Sequence, residues 1–542
     1  MAGYSMTNTL NVETEGGTGH VGFICHKQPV METYLRKVMA SSEYCELRTS
    51  CVVNELSEDE QWTYCKYTDS AGDQKQIRSR FVVGADGKTG FVRKRYLEPM
   101  GVKMERAHNM FYEETWVALN WKLKLPTPTT HPDFPLWAQG YTSEQVYDIF
   151  FPKDFRFICN PDRPAVCGRF GPAEERLWRF EYVVLSGEDG HEMASSKNLK
   201  KVIYPYLTHP GSRYGLPHDL SYPEDCITVL RSRPFTFSAR SCNRWAQGRV
   251  ILCGDAAHVF PPFGAQGIAS GFRDADSLAW RLALLCRSPT PKLESCTQVL
   301  TAWYKERQQQ LEKSLAATIE NGEFVNEANP AKLFIRTWYF YFMSFIPSWR
   351  AQMRLGQRRG GMVKYQHQIG MPFMPEFGGG VCVPQVFCKR FDQANSAIMF
   401  TDDVVIKCTR GRGLFQLVVY VTSVSELAGA KEAMKDIEEI SQGEFKPADT
   451  TYLVEEGDNA SSDSAKEDLS TVFQIASGDD FAASPLCRGR PPPYFYDPKR
   501  LGGETGGNRF LVVRPDRFLF AACSTKEDLE KVVRNAVAYL RR

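Results

Sequence analysis

Two short, wholly apolar runs are each stopped by a turn containing glycine and aspartate. Phe81-Val82-Val83 runs into Gly84-Ala85-Asp86-Gly87, and Val250-Ile251-Leu252-Cys253 runs into Gly254-Asp255. Continuous apolar runs bounded by turn residues predict buried strands. Upstream, Gln28-Pro29 opens a predicted helix, VMETYLRKVMAS. Proline suits the first helical turn, and Val30, Tyr34, Leu35 and Val38 fall on one face. Alternating strand-like runs follow to residue 80, broken by a polar turn at 69–73, while residues 1–24 are strand-like at best. From 101 to 245 the pattern changes to short alternating strands, long loops and many aromatics and prolines, which predicts a separate, mostly antiparallel layer. Helical periodicity returns at 274–286 and 301–326. A different unit starts near residue 375, with strands predicted at 414–421 and 510–513 and helices at 426–440 and 526–540. Between them, residues 455–468 (EEGDNASSDSAKED) are acidic and serine-rich, the composition of a mobile surface loop.

A length of 542 residues implies two to four domains. The hydrophobic fraction of 43% and charged fraction of 24% are those of a globular protein, and a net charge of +2 gives no reason to expect a nucleic-acid or anionic-membrane partner. The most apolar windows, 338–346 and 414–421, are too short to span a bilayer. The start, MAGYSMTNTLNVETEGG, has neither the basic nor the apolar region of a secretory signal. Sixteen scattered cysteines form no CxxC pair, and Cys45/Cys51 and Cys382/Cys388 lack further ligands at metal spacing. No metal is expected, and reduced thiols point to a cytoplasmic protein.

The chemistry is concentrated in residues 248–282, GRVILCGDAAHVFPPFGAQGIASGFRDADSLAWRL. An apolar strand delivers Gly254 and Asp255 to the carboxyl end of a sheet, where ligands bind in open α/β folds, and a carboxylate there can accept hydrogen bonds from a polyol. Pro261-Pro262 stiffens the turn. Gly264, Gly267 and Gly271 remove side chains where backbone must lie against something flat or anionic. The next helix begins around 267–270, so its free N–H groups and positive dipole end point back at the ligand.

This segment resembles the second FAD-contact motif of the class A flavoprotein monooxygenases, the p-hydroxybenzoate hydroxylase superfamily. It is most similar to the branch holding 3-(3-hydroxyphenyl)propionate hydroxylase, phenol 2-monooxygenase and polyketide hydroxylases. It departs at Ala265, where the family has Gly, and at Ala269 and Ser277, where the family has Asn. A second segment, RFVVGADGKTGFVRKRY (80–96), resembles the family's GADGxxSxVR fingerprint through Gly84, Asp86, Gly87, Val92 and Arg93, with Gly90 in place of Ser. Gln28, Pro29, Glu32, Leu35 and Arg36 resemble its Q-P-x-L-E-x-x-L-R helix start.

The resemblance implies an α/β fold: a partial FAD-binding Rossmann-like domain of glutathione-reductase type, an antiparallel-sheet substrate domain and a C-terminal thioredoxin-like domain. The expected boundaries are 1–100 and 246–370 for the FAD-binding parts, 101–245 for the substrate sheet and 375–542 for the last domain. Family members begin with a strand, a GxGxxG turn and a helix. The literal match here, Gly17 to Gly22, is rejected because no apolar strand precedes it and residues 21–25 are strand-like. Aligned on Gln28-Pro29, the chain is expected to start after that first βαβ unit, roughly 30 residues or more. An incomplete gene model is favoured over loss of FAD binding, because the remaining glycines and aspartates are intact.

The function implied is NAD(P)H- and O2-dependent hydroxylation of an aromatic, phenolic or polyketide-derived molecule through a flavin C4a-hydroperoxide. The alternative is a truncated, flavin-deficient paralogue with a binding role. Expected cofactor contacts are Gln28, Gly84, Asp86, Gly87, Gly254, Asp255, Pro261, Pro262, Gly264, Gln266, Gly267 and Ile268; Pro262, Asp86 and Arg93 are the catalytic candidates. Asp255 would hold the ribityl chain and the amides of Gly267 and Ile268 the pyrimidine edge, while Asp86 and Arg93 would serve the pyrophosphate and nicotinamide passage. Phe111, Tyr112, Trp116, Trp121, Trp137, Tyr147 and Phe150 are candidate pocket aromatics, each more readily explained as packing. Arg514-Pro515-Asp516 resembles the "LVRPDG" hairpin of the branch's C-terminal domain, with Arg517 in place of Gly. Without CxxC that domain cannot do dithiol chemistry, so an interface role, including homodimer pairing, is expected of it.

Overall fold

The structure is a computed structural model that describes residues 27–106, 112–153, 155–261, 263, 266–349, 364–393, 396–406, 413–456, 469–488 and 496–541. The expectations placed on Gly17 to Gly22, Phe111, Pro262, Gly264, Ala265 and residues 457–468 lie outside them.

The predicted first helix, α1 (Gln28–Ala40), forms with proline in its first turn, but none of its residues is buried. Val30, Tyr34, Leu35 and Val38 are exposed, so the apolar face read from the sequence is not buried. The alternating runs become an antiparallel meander of β1 (Val52–Glu58), β2 (Thr63–Thr68) and β3 (Gln74–Ser79). Asp69 closes the polar turn, accepting the amides of Ala71 and Asp73.

The two apolar runs are β4 (Val82–Gly84) and, far along the chain, β11 (Val250–Leu252). They pair side by side and in parallel, Val250 opposite Val82 and Leu252 opposite Gly84. β11 is buried throughout, over a core holding Trp245, Trp303 and Phe263. β4 differs from its reading as a buried strand: Val82 is half-buried and Val83 exposed, because β4 is the edge of its sheet among the described residues.

The aromatic middle of the chain is the predicted antiparallel layer. Its strands are β5 (Glu113–Leu123), β6 (Arg156–Ile158), β7 (Ala165–Phe170), β8 (Leu177–Val183) and β9 (Ile227–Ser238), in the order β9-β5-β8-β7-β6. Alternation along β5 sends Val117, Leu119, Trp121 and Leu123 into one core with α2 (Ser143–Phe150) and α3 (Ser196–Ile203). Trp116 points the other way, towards β11 and Phe263. Two-residue β10 (Ala246–Gln247) then turns the chain into β11.

After β11 come α4 (Gln266–Cys286), α5 (Leu293–Asn326) and α6 (Pro330–Phe345). α4 and α5 begin eight residues before the periodicity indicated; the glycine-rich start of α4 weakens its apolar pattern. No described helix is long and apolar enough to cross a membrane.

The last unit has a seven-stranded mixed sheet among the described residues. Its strands are β12 (Phe387–Arg390), β13 (Met399–Phe400), β14 (Gln416–Ser423), β15 (Thr451–Glu456), β16 (Val472–Ile475), β17 (Phe510–Val513) and β18 (Leu519–Cys523), followed by α7 (Lys526–Leu540). β14, β15 and β16 run parallel, and β17 and β18 form an antiparallel hairpin beside β14. Arg517, where the resemblance expects glycine, has φ +69°. That left-handed conformation costs about 1–2 kcal/mol for a non-glycine residue, and Arg517 Nε answers it with an ion pair to Asp402 at 3.0 Å.

Candidate cofactor and active site

Parallel pairing of β4 and β11 brings both glycine–aspartate turns to one carboxyl edge, the edge where open α/β sheets bind ligands. The pairing runs one step beyond the strands, since the Cys253 amide donates to the Gly84 carbonyl at 3.0 Å. Gly84 is packed against Val92, whose Cβ would lie 2.7 Å from a Cβ built on Gly84. Gly84→Ala should therefore destabilise the protein by about 1–3 kcal/mol, read as a shifted urea midpoint at unchanged slope.

In the first turn, Gly87 has φ +82° and open space where a side chain would stand. Asp86 is exposed, and its Oδ2 accepts the Val92 amide at 2.9 Å. A Cβ on Gly90 would come within 2.1 Å of Asp86 Oδ1, so the departure from Ser at this position is what lets the carboxylate lie where it does. Arg93 is buried and spent inside the protein. It donates to Ala256 O at 3.1 Å, to Glu98 at 2.5 Å and to Lys88 O, tying the first turn to the second. Gln28 opens α1 and donates to Glu32 at 2.8 Å.

In the second turn, Gly254 has φ +59° and stacks on Gly271 of α4, with a Cβ on Gly271 falling 3.6 Å from the Gly254 Cα. Asp255 is exposed, and no described residue forms a hydrogen bond or ion pair with its carboxylate. Pro261 is buried. Gln266, Gly267 and Ile268 form the first turn of α4, whose dipole favours an anionic group at this end. An unpartnered carboxylate, a left-handed glycine and a helix N-terminus at one sheet edge fit a ligand with a polyol arm and an anionic ring edge, as FAD has.

Behind these groups lies a hub that carries no sequence signal beyond its place in the motif. Asp274, fully buried on α4, accepts the Gly254 amide at 3.0 Å, His258 Nε2 at 2.7 Å and Arg307 Nε of α5 at 2.8 Å. Burial pushes this carboxyl up, but His258 and Arg307 beside it outweigh burial and hold it at about 2. Arg307 also reaches Ser270 Oγ and Gln310.

A second cluster faces the same motif from the antiparallel sheet. Tyr112 and Trp116 meet the ring of Phe263 edge-on, at centroid distances of 5.7 and 5.1 Å. Glu114 accepts Tyr112 Oη at 2.7 Å, Trp116 Nε1 at 3.0 Å and Asn326 Nδ2 at 2.7 Å. Burial, then the Glu114 charge, push the Tyr112 hydroxyl far up, so it stays a donor. Of the other expected pocket aromatics, Trp121, Tyr147 and Phe150 pack in the core on the far face of the sheet and Trp137 packs against Phe134 with the rings tilted by 50°. His131, which received no role, bonds Asp225 at 3.1 Å.

These features lie between the shared edge of β4 and β11 and the antiparallel sheet. A family profile described as "FAD binding domain" matches residues 9–185 and 219–299. A probable NADH-specific resorcinol 4-hydroxylase of Rhodococcus jostii (strain RHA1) is 28% identical over 48% of this chain and 40% of its own length. The 3-(3-hydroxy-phenyl)propionate/3-hydroxycinnamic acid hydroxylase of Burkholderia cenocepacia (strain HI2424) is 25% identical over 66% and 54%. The chain thus spans about half the length of the curated relatives it matches. Its fold is that of the flavin-dependent monooxygenase PieE, solved with FAD and substrate, at a TM-score of 0.57 and 14% identity over 95% of this chain and 80% of that one. The chain is thus similar to FAD-dependent aromatic hydroxylases over the part that carries the FAD-binding profile.

Proposed function

We propose that the protein binds FAD at the shared edge of β4 and β11 and hydroxylates an aromatic, phenolic small molecule with NAD(P)H and O2. The observation that supports this best is the convergence of both turns, with Asp255 unpartnered among the described residues, on the amino end of α4. When bound, FAD supplies hydride acceptance and oxygen activation; the protein supplies position, electrostatics and exclusion of water. Asp255 would accept the ribityl hydroxyls, the Gly267 and Ile268 amides would meet the anionic pyrimidine edge, and Pro261 would stand on the oxygen side. Asp86 and the backbone at Gly87 line the pyrophosphate and nicotinamide passage, and Arg93 holds that turn against Ala256. Phe263, Tyr112 and Trp116 close the aromatic side, with Glu114 keeping the Tyr112 and Trp116 donors fixed. The boundaries near 100, 245 and 375 are those of the FAD, substrate and C-terminal units, and the last is read as thioredoxin-like from its parallel core strands and flanking hairpin. The described cysteines are all free, in keeping with a cytoplasmic setting.

The test is to add FAD to the purified chain and follow NADH and NADPH oxidation with resorcinol and 3-(3-hydroxyphenyl)propionate, with product mass as the readout. One added oxygen on an intact ring supports the reading. A protein that takes up no flavin and oxidises no nicotinamide with either phenol supports the non-catalytic binding role. Asp255→Ala should weaken FAD binding about 10–100-fold, the loss expected for a charged hydrogen bond, without moving the unfolding midpoint; unchanged FAD affinity would count against the assignment.

A further inference from the structure

We propose that α6 is the seam of a homodimer, packing against its own copy about a twofold axis. Ile335, Trp338, Phe342 and Phe345 follow one another at spacings of three, four and three along α6 and point outward. That is the repeat of a helix–helix seam. Phe334 and Tyr339 widen the stripe, and these six side chains are between 45% and 66% exposed.

The stripe is not a loose helix with its core face turned out. The inner face of α6 is held: Met343 is buried, Arg336 Nη1 donates to Phe324 O at 2.5 Å and its guanidinium lies over the Phe324 ring, and Phe324 meets Phe340 edge-on at 5.5 Å. The outer rings are already ordered against one another. Trp338 stacks on Phe342 at 5.7 Å, and Phe334 packs against Trp338 at 6.0 Å with the rings tilted by 59°. Little side-chain freedom is therefore left to lose on association.

Size decides between a monomer's ordinary patch and an interface. Taking roughly 200 Å² for each large side chain, the six expose about 700 Å² per protomer. That exceeds the roughly 300–600 Å² of the largest patch on a typical monomer. Doubled, it falls within the roughly 1,200–2,000 Å² of a stable dimer. The outward stripe carries no charge, and Lys332 at the start of α6 is paired with Glu327 at 3.0 Å, so nothing on this face calls for an oppositely charged partner. A self-complementary apolar stripe is what an isologous contact requires. The C-terminal unit, where pairing was expected from sequence, offers much less: Leu486 is the one exposed large hydrophobic among its described residues.

Sedimentation velocity on the full chain tests this. A dimer is expected, and Trp338→Ser with Phe342→Ser should weaken it about thirtyfold, the loss typical of central aromatic anchors, at unchanged circular dichroism. Phe342→Cys should give an oxidised disulfide dimer that the parent chain does not give. A monomeric parent chain overturns the proposal, as does a dimer indifferent to both changes. So does a monomer that floats with mixed phosphatidylcholine–phosphatidylserine vesicles, which would make the stripe a lipid-facing surface.

Discussion

Asp274→Asn should lower the unfolding free energy by about 3–5 kcal/mol and release bound FAD, although the side chain keeps its size. The amide can still accept the Gly254 N–H, but it leaves Arg307 fully buried without its counter-charge and takes the carboxylate from His258, and breaking a buried pair from one side carries that cost. Because the same carboxylate holds the turn that presents Asp255, stability and cofactor retention should fall together. Acid titration supplies an independent readout. The carboxyl is depressed from an unfolded value near 4 to about 2. Its contribution is therefore complete above about pH 4 and is lost as the pH falls through about 2. Urea midpoints measured across that window should slope in the parent and flatten in the variant. Equal slopes would show that Asp274 does not carry the charge assigned to it.

Glu306→Gln should be comparably damaging, at about 3–5 kcal/mol, through a different connection. Arg514 forks onto Glu306 at 2.8 Å from both terminal nitrogens and onto Asp516, while Arg281 of α4 bonds Glu306 at 2.5 Å; all four side chains are buried. Trp280 Nε1 donates to Asp516 at 2.9 Å, closing the set. The network fastens the β17–β18 hairpin of the C-terminal unit to the helices that follow the flavin motif. Removing one carboxylate leaves two arginines sharing Asp516. Adding Arg514→Met restores charge balance and should recover roughly 1 kcal/mol or more, a coupling of the size seen for contacting residues. Strictly additive losses would mean that the two side chains do not act as a pair. Two resolved unfolding transitions in Glu306→Gln alone would show that this network joins the units cooperatively.

Much of this site was legible along the chain because its parts are local. A run of three apolar residues ending in glycine and aspartate says strand and turn, and glycines spaced along the next segment say backbone close to a ligand. The helices at 526–540 and from Gln28 were legible for the same reason, since propensity, capping and periodicity act within a few residues. The exposed face of α1 was not, because an apolar stripe says only that a face can be buried, not that a neighbour stands there.

The amino-acid sequence by itself thus determined the chemical class: strand–turn–helix units with bare main chain and one carboxylate, matched to a flavin. Only the tertiary structure decided that β4 and β11 are parallel neighbours, that Arg93 is a strut between their turns, and that Asp274 reaches back to Gly254. It also decided that Glu306 meets Arg514 across 208 positions of sequence. The physical reason is one of range. Hydrogen-bonding periodicity is written within a turn or a strand, whereas the partner of a buried charge is set by which elements pack together, and that choice is made by the fold as a whole.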